Sequence, residues 1–428
     1  MNTENQTLHP ETLALHHAHD PLTNAAHSIA VPLYQNTAYA FGSSETARKI
    51  FELREDGYIY SRLNNPTTDV LEQRIAAYEK GIGGVATSCG QSAVATALLT
   101  LLQAGDHVAA SGSLYGGTFN LLNSTLPRFG VRTTFCDFTD VASIEQAITP
   151  ETKLLYCEVL GNPKLDFINI PVVAAVAHRH GLPLFVDGTL TTGLYHPLAD
   201  GADVLIHSLT KYVCGNGTTM GGIIVDAGTY DWGNGRFPLL SEPNSGYGGQ
   251  RFCEAFGTAA YLVACRTIGL RDFGSCLYPG AALALIHGLE TLEVRMERIS
   301  KNALELAQWL EGHPEVAWVR YTGLEQDPFH HLASEKLGDK HGGILTFGPK
   351  GGYEQARRVS EGTHLFQLVA NFGDTKSLII HPASTTHGQL SAEEQECAGV
   401  SVDLIRLAIG LENVEDLKAD LDQALRHE

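Results

Sequence analysis

Short apolar runs that break off at a polar residue recur through the first half of the chain. HVAAS (His107–Ser111), VRTTFC (Val131–Cys136), KLLYCEV (Lys153–Val159), LPLFVD (Leu182–Asp187), ADVLIH (Ala202–His207) and GGIIVD (Gly221–Asp226) are the strand candidates. Their length and near-continuous apolarity suit strands buried on both faces. Helical repeats fill the gaps. From Asp69 onward Leu71, Ile75 and Tyr78 share a face, and Asp69 with Glu72 reads as a capping box. Ser92–Gln103 places Val94, Leu98, Leu101 and Leu102 on one side. The alternation predicts an α/β fold with a mostly parallel sheet covered on both faces. The rhythm then changes. A long helical pattern runs from Gly280 to Glu311, followed by strands at Val316–Arg320, Ile344–Phe347, Ser377–Ile380 and Leu404–Ile409, which suggests a smaller α+β domain. Gly228–Gly249 is a Gly/Pro/Asn-rich loop, long for a compact domain and therefore a candidate for function. The expected division is an N-terminal arm over 1–65, a large domain over 66–272 and a C-terminal domain over 273–428.

Composition narrows the classes. The 428 residues are enough for two or more domains, and 43% hydrophobic against 18% charged residues describes a globular protein. A net charge of −19 argues against nucleic acid or an anionic membrane surface as partner. The eight cysteines contain no C-x-x-C pair, so zinc-ribbon and dithiol readings fail. His16, His17 and His19 cluster without a carboxylate or cysteine at a ligand spacing, so no metal is expected. No basic segment followed by an apolar one opens the sequence, and no apolar run would span a bilayer, so a cytoplasmic protein is expected.

The chemistry centres on ADVLIHSLTKYVCGNGTTMGG (Ala202–Gly222). An apolar strand turns polar at His207, Ser208 and Thr210 and reaches Lys211, the only lysine between Lys164 and Lys301. An amine at the mouth of a buried strand is placed to form a Schiff base with a lowered pKa, although a surface lysine is equally compatible with this stretch alone. Asp187 ends another such strand. In a parallel sheet both residues emerge at the carboxyl edge, where open α/β sheets bind ligands. Pyridoxal phosphate (PLP) requires that pair, a lysine for its aldehyde and a carboxylate for its pyridinium nitrogen. Gly90 and Gln91 precede an amphipathic helix whose N-terminal amides could hold a phosphate, with hydroxyls from Ser208 and Thr210. Arg406 sits inside an apolar strand and needs an anionic partner, either a substrate carboxylate or a structural Asp or Glu. Gly215–Gly221 is not G-x-G-x-x-G and follows the lysine, so a dinucleotide site is discounted.

Six stretches, YSRLNNPT (Tyr60–Thr67), CGQSA (Cys89–Ala93), SLYGGT (Ser113–Thr118), SLTKY (Ser208–Tyr212), KSLIIHPASTTH (Lys376–His387) and LIRLAIGLEN (Leu404–Asn413), together resemble the Cys/Met-metabolism family of PLP-dependent enzymes. The resemblance runs from about Val31 to Leu421. It implies the aminotransferase-like fold type I, with an arm packing on a neighbouring subunit and a tetramer built as a dimer of dimers. It places the cofactor phosphate on Gly90, Gln91, Ser208 and Thr210, with Tyr60 and Arg62 reaching in from the partner subunit. Read alone, Arg62 is a surface arginine. Tyr115 is implied to stack on the pyridine and move protons. Asn162 is implied to meet the ring hydroxyl, and Thr189 to adjoin Asp187. Arg406 is implied to hold the substrate α-carboxylate, with help near Asn371 and Ser377.

Within the family the chain is most similar to members that replace the acetoxy group of O-acetyl-L-homoserine with sulfide, giving L-homocysteine and acetate. γ-Elimination, cystathionine synthesis and an O-succinyl substrate share these residues, and a non-catalytic ligand-binding α/β protein is the reading from a different class. The chain departs from the family's usual residues at Gly188 (Asn), Asn216 (His) and Cys89 (Ser), and the arm reads HHAHD without the usual glycine. Gly188 is expected to loosen the turn that orients Asp187.

Overall fold

The computed structural model describes residues 8–386, 388 and 399–426; His387 and Cys397 lie outside them. Seven strands form the large sheet: β1 (Gly83–Thr87), β2 (His107–Ser111), β3 (Arg132–Cys136), β4 (Thr152–Glu158), β5 (Leu184–Asp187), β6 (Val204–His207) and β7 (Gly222–Asp226). Their order is β1-β7-β6-β5-β4-β2-β3. Six strands run the same way, and β7 is antiparallel to both neighbours. Residues alternate strictly between two cores. Ala109, Leu155, Cys157, Val186 and Leu205 face one cluster, while Ala110, Leu154, Tyr156, Phe185 and Ile206 face the other. Glu158 continues the Leu154–Tyr156 row and Asp187 follows Phe185, so both carboxylates emerge on the same face at the carboxyl edge.

A second sheet has the order β10-β11-β12-β9-β8, with β8 (Val316–Arg320), β9 (Ile344–Pro349), β10 (Gln367–Leu368), β11 (Leu378–Ile380) and β12 (Ile405–Ala408). Leu345, Phe347, Ile379, Ile405 and Leu407 pack there against Leu306, Leu310, Val359, Leu417 and Leu421 of three helices. Each such fully buried side chain contributes about 2 kcal/mol. Arg406 alternates with Ile405 and Leu407, so it faces away from this core and toward the large sheet.

Some boundaries differ from the sequence reading. The first long helix starts at Pro66, because Asn65 Oδ1 accepts the Thr67 N–H (2.9 Å) and the Thr68 N–H. Asp69 and Glu72 are therefore no capping box; Glu72 is buried on Arg266 (2.6 Å) and accepts the Ala86 N–H. The helix expected over Ser92–Gln103 spans Gly90–Leu99. The pattern over Gly280–Glu311 is two helices, Pro279–Leu289 and Leu292–Glu311. Strands β1 and β10 were not expected. The first half of the Gly228–Gly249 loop is core: Trp232, Phe237 and Leu240 are buried, and Tyr230 and Arg236 bond to carbonyls of Gly181 and Thr152. That places it at the amino ends of β4 and β5, opposite Lys211. Among the described residues no three His, Cys, Asp or Glu side chains group to hold a metal.

Candidate active site

The segment after β6 turns sharply. Lys211 N–H bonds to Ser208 O (3.2 Å) and Gly215 N–H to Lys211 O (2.8 Å), with Gly215 and Gly217 at φ of +71°. The turn aims Lys211 between the two sheets. Its Nζ donates to Asn371 Oδ1 at 2.5 Å and lies 4.8 Å from the centre of the Phe372 ring. Burial lowers its pKa to about 8, and the positive charge of Arg406 acts in the same direction. About a tenth of such an amine is unprotonated at pH 7, against far less for an ordinary lysine, which suits a base or nucleophile.

Arg406 reaches the same place from β12. Its Nη1 donates to Asn162 Oδ1 (3.1 Å) and its Nη2 to Asn371 O (3.1 Å), while Nε is buried without a partner. Burial lowers its pKa to about 10. Among the described residues no carboxylate forms an ion pair with it. The structural ion pair left open by the sequence is therefore not formed, and the guanidinium stands ready for an external anion. Asn371 joins the two cations, with its side chain on Lys211 and its carbonyl on Arg406.

Asp187 ends β5 with Oδ1 accepting the Thr189 N–H at 2.8 Å, and Thr189 Oγ1 in turn accepts the Ser208 N–H at 2.9 Å. The turn is tied down further by Thr191 and Thr192 hydroxyls on Gly188 O. Gly188 therefore does not loosen it. A Cβ there would lie 2.8 Å from the His207 ring, which is held between Glu79 Oε1 (3.0 Å) and Thr192 Oγ1 (3.1 Å). The glycine is a close-packing residue, with an ordinary φ of −100°.

The residues expected to hold a phosphate lie together. Gly90 and Gln91 open the helix Gly90–Leu99, so their N–H groups have no intrahelical acceptor. A Cβ on Gly90 would fall 2.5 Å from Ser208 Cβ, which shows how closely the helix end and the Lys211 segment approach. Cys89 caps the helix through Sγ on the Ser92 N–H (3.4 Å). Thr210 bonds both ways to the Gly221 backbone. An anion cradle after β1, an amine after β6 and a carboxylate at the end of the adjacent β5 are what PLP needs, and these residues fit it.

Other expected residues stand differently. Tyr115 is exposed and its backbone N–H donates to Glu158 Oε1 at 2.5 Å. Asn162 bonds Arg406, as above. Ser377 is fully buried, its hydroxyl donating to Glu412 Oε2 (2.9 Å) and accepting the Gly410 N–H (2.9 Å), so it does not meet Arg406. Tyr60 is exposed, and Arg62 donates to the carbonyl of Arg271; neither reaches Lys211 within its own chain. Glu158, Phe372 and Gly373 escape the sequence reading. Only the spacing of Glu158 before Asn162-Pro163, and the glycine after Phe372, could have signalled them.

A model of the family described as Cys/Met metabolism PLP-dependent enzyme matches residues 11–426. An O-acetyl-L-homoserine sulfhydrylase of Leptospira meyeri is 46% identical, over 98% of this chain and 97% of that protein. A homocysteine synthase of Schizosaccharomyces pombe is 48% identical, over 97% of this chain and 98% of the relative. A solved structure of a Campylobacter jejuni protein assigned as an O-acetylhomoserine (thiol)-lyase superposes with a TM-score of 0.95 at 41% identity, covering 98% of this chain and 100% of that one. That protein carries a pyridoxyl-lysine phosphate residue.

Proposed function

This chain belongs to the Cys/Met metabolism PLP-dependent enzymes, and on that premise we propose that it replaces the acetate of O-acetyl-L-homoserine with sulfide, giving L-homocysteine and acetate. The observation that carries the amino-acid part is the partly buried Arg406, bonded only to amide oxygens, 35 residues beyond Asn371, which also holds Lys211. The likeness over nearly the full length of sulfhydrylases supports the choice of reaction.

Arg406 clamps the substrate α-carboxylate, and the Asn371 carbonyl and Asn162 amide keep the guanidinium plane fixed. Each charge-assisted bond to that carboxylate is worth about 1.5–3 kcal/mol. Gly90, Gln91 and Ser208 would hold the cofactor phosphate, and Asp187 would hold the ring nitrogen. Bound there, PLP supplies an aldehyde for the substrate amine and a protonated ring that takes up negative charge developing at Cα. Lys211 would take the proton from Cα, give it up to the bound cofactor, then take one from Cβ, and return both in reverse order after the exchange. Its lowered pKa suits both directions. At Cγ the C–O bond to acetate breaks and a C–S bond to sulfide forms, so the acetate oxygen leaves with the electron pair. Tyr115, at the mouth, is a second proton carrier beside the amine.

We propose also that a second copy supplies Tyr60 and Arg62 to the phosphate, within a tetramer in the cytoplasm, and that residues 1–65, 66–272 and 273–428 act as arm, cofactor domain and C-terminal domain. The exposure of Tyr60 supports the first point. Among the described residues no helix is long and apolar enough to cross a membrane.

The deciding experiment mixes purified protein with O-acetylhomoserine, with and without sulfide, and identifies products by mass. Homocysteine formed only with sulfide is expected. Oxobutyrate and ammonia produced equally well without sulfide would replace this reading with γ-elimination.

A further inference from the structure

Beside Asp187 stands a second buried carboxyl. Glu158 is the last residue of β4 and pairs in register with Asp187, the last of β5. Both point to the same face, and Glu158 is only 6% exposed. Among the described residues neither forms an ion pair with a lysine or arginine. The groups around Glu158 are Asp187, Asp166 and the Cys157 thiol, none of them a cation. Asp166 is itself occupied, accepting the Ser113 hydroxyl at 2.6 Å. Two neighbouring carboxylates in such a place cannot both be ionised cheaply. Burial raises the Asp187 carboxyl as well, but Asp187 has more to hold its anion, the N–H and hydroxyl of Thr189 and the His207 ring. Glu158 has one donor, the Tyr115 N–H. Burial and the neighbouring Asp187 accordingly keep the Glu158 carboxyl protonated well above the ordinary carboxylate range.

We propose that Glu158 is a positioning residue of the cofactor site: an uncharged carboxylic acid, wedged between the Tyr115 backbone and Asp187, that fixes the tyrosine and leaves Asp187 as the one anion available to the ring nitrogen. As an acid it accepts the Tyr115 N–H through Oε1, where Tyr115 enters the helix Gly116–Asn120. It adds no second negative charge, so it does not compete for the pyridinium proton. The proposal rests on the cofactor reading of Asp187 and Tyr115, and not on which reaction follows.

The neutral isostere tests it. Apo-protein is titrated with PLP, following visible absorbance for affinity and visible circular dichroism for the asymmetry around the bound ring. Glu158→Gln keeps the acceptor and a neutral head, and is expected to match the parent within about twofold in affinity with an unchanged visible dichroism. Glu158→Leu keeps the volume and removes the acceptor; it is expected to bind PLP at least about tenfold more weakly with altered dichroism. Thermal melts of the apo forms check that both variants fold. Loss of affinity in Glu158→Gln comparable to that of Glu158→Leu would overturn the proposal, because an anion would then be required. Parent-like binding by Glu158→Leu would overturn it too. Asp187→Ala serves as the control on the premise. If it binds PLP normally, the reading of Asp187 fails and takes the proposal with it; if only Asp187→Ala fails to bind, the cofactor reading stands and Glu158 has no part in it.

Discussion

Replacing Gly373 by alanine should disable the enzyme with little cost to its fold. Gly373 has φ of +76°, and a Cβ built on it would lie 2.8 Å from Lys211 C, 2.8 Å from Tyr212 N and 3.0 Å from Lys211 Cα. The conformational cost of alanine in the left-handed region is about 1–2 kcal/mol. The overlap is the larger matter, because all three atoms are backbone and cannot rotate aside. Ordinary contact begins near 3.4 Å, so the Lys211 segment or the Asn371–Gly373 loop must shift by about 0.6 Å (3.4 less 2.8) against a working tolerance of about 0.5 Å. Either shift also displaces the 2.5 Å Lys211–Asn371 bond, stretching it by up to about 0.6 Å. Since a displacement of about 1 Å costs about 10²-fold in rate, kcat for γ-replacement should fall by about 10- to 100-fold. Gly105→Ala isolates the backbone term. Gly105 has φ of +97°, nothing lies within 4 Å of its would-be Cβ, and it precedes β2 at the opposite edge of the sheet. The two variants should melt within a few degrees of each other, with only Gly373→Ala losing turnover. A Gly373→Ala enzyme with parental kcat and the same melting loss as Gly105→Ala would refute the argument that this loop sets the lysine.

Lys211→Ala should give no detectable product while its circular dichroism and melt stay close to the parent's, because the side chain is held by one hydrogen bond and one ring contact. Arg406→Gln should raise KM for the amino acid by about 10²-fold, from the loss of two charge-assisted bonds, with a smaller effect on kcat. It should also raise the pKa of Lys211 by removing a neighbouring positive charge, moving the acid limb of the apo-enzyme's amine modification to higher pH. Asp226 is fully buried, with Oδ1 on the Gly228 N–H (2.7 Å) and Oδ2 unpartnered, and burial raises its pKa to about 7. The folded protein therefore holds a proton that the unfolded chain releases near its ordinary value of about 3.9. Stability from this group is complete below that value and is lost as pH rises toward and through 7, by up to about 4 kcal/mol from 1.36 kcal/mol per unit over about three units. Asp226→Asn should gain stability over the parent at pH about 8 and not at pH about 4, measured by urea midpoints; an equal effect at both would mean Asp226 is not the titrating group.

The contrast between what was legible and what was not follows from chain distance. A strand buried on both faces must be continuously apolar, so its end shows as a sudden polar residue. Asp187 and Lys211 are visible for that reason, as is the sheet that carries them. Edge strand β1 begins Gly83-Gly84 and pairs antiparallel with β7; it has neither the apolarity nor the alternation to announce itself. Asn65-Pro66 is a helix-start signal present in the sequence, but the Asp69–Glu72 pair mimics a capping box three residues later. The split at Glu290-Thr291 has no proline to mark it. There Gly288 lets the helix end touch the segment after Lys211, where a Cβ would meet Val213 O at 2.1 Å. That contact belongs to tertiary packing and leaves no periodic trace.

The same reasoning explains why the site itself was half legible. Lys211 and Asn371 are 160 residues apart, and Arg406 and Asn162 are 244 apart. Residues that act alone on the cofactor stand out by type at a strand end. Residues that act on another residue stand out only once both are placed. Glu158 reads as the polar end of KLLYCEV until register sets it beside Asp187, and Gly373 reads as a loop glycine until its φ and the lysine backbone are seen together. Arg406 shows the reverse case. A guanidinium in an apolar strand signals an anion, but only the structure shows that no carboxylate of the described chain takes that place. The anion must come from outside, and the α-carboxylate of an amino-acid substrate is such an anion, with the two oxygens that a guanidinium fork takes up.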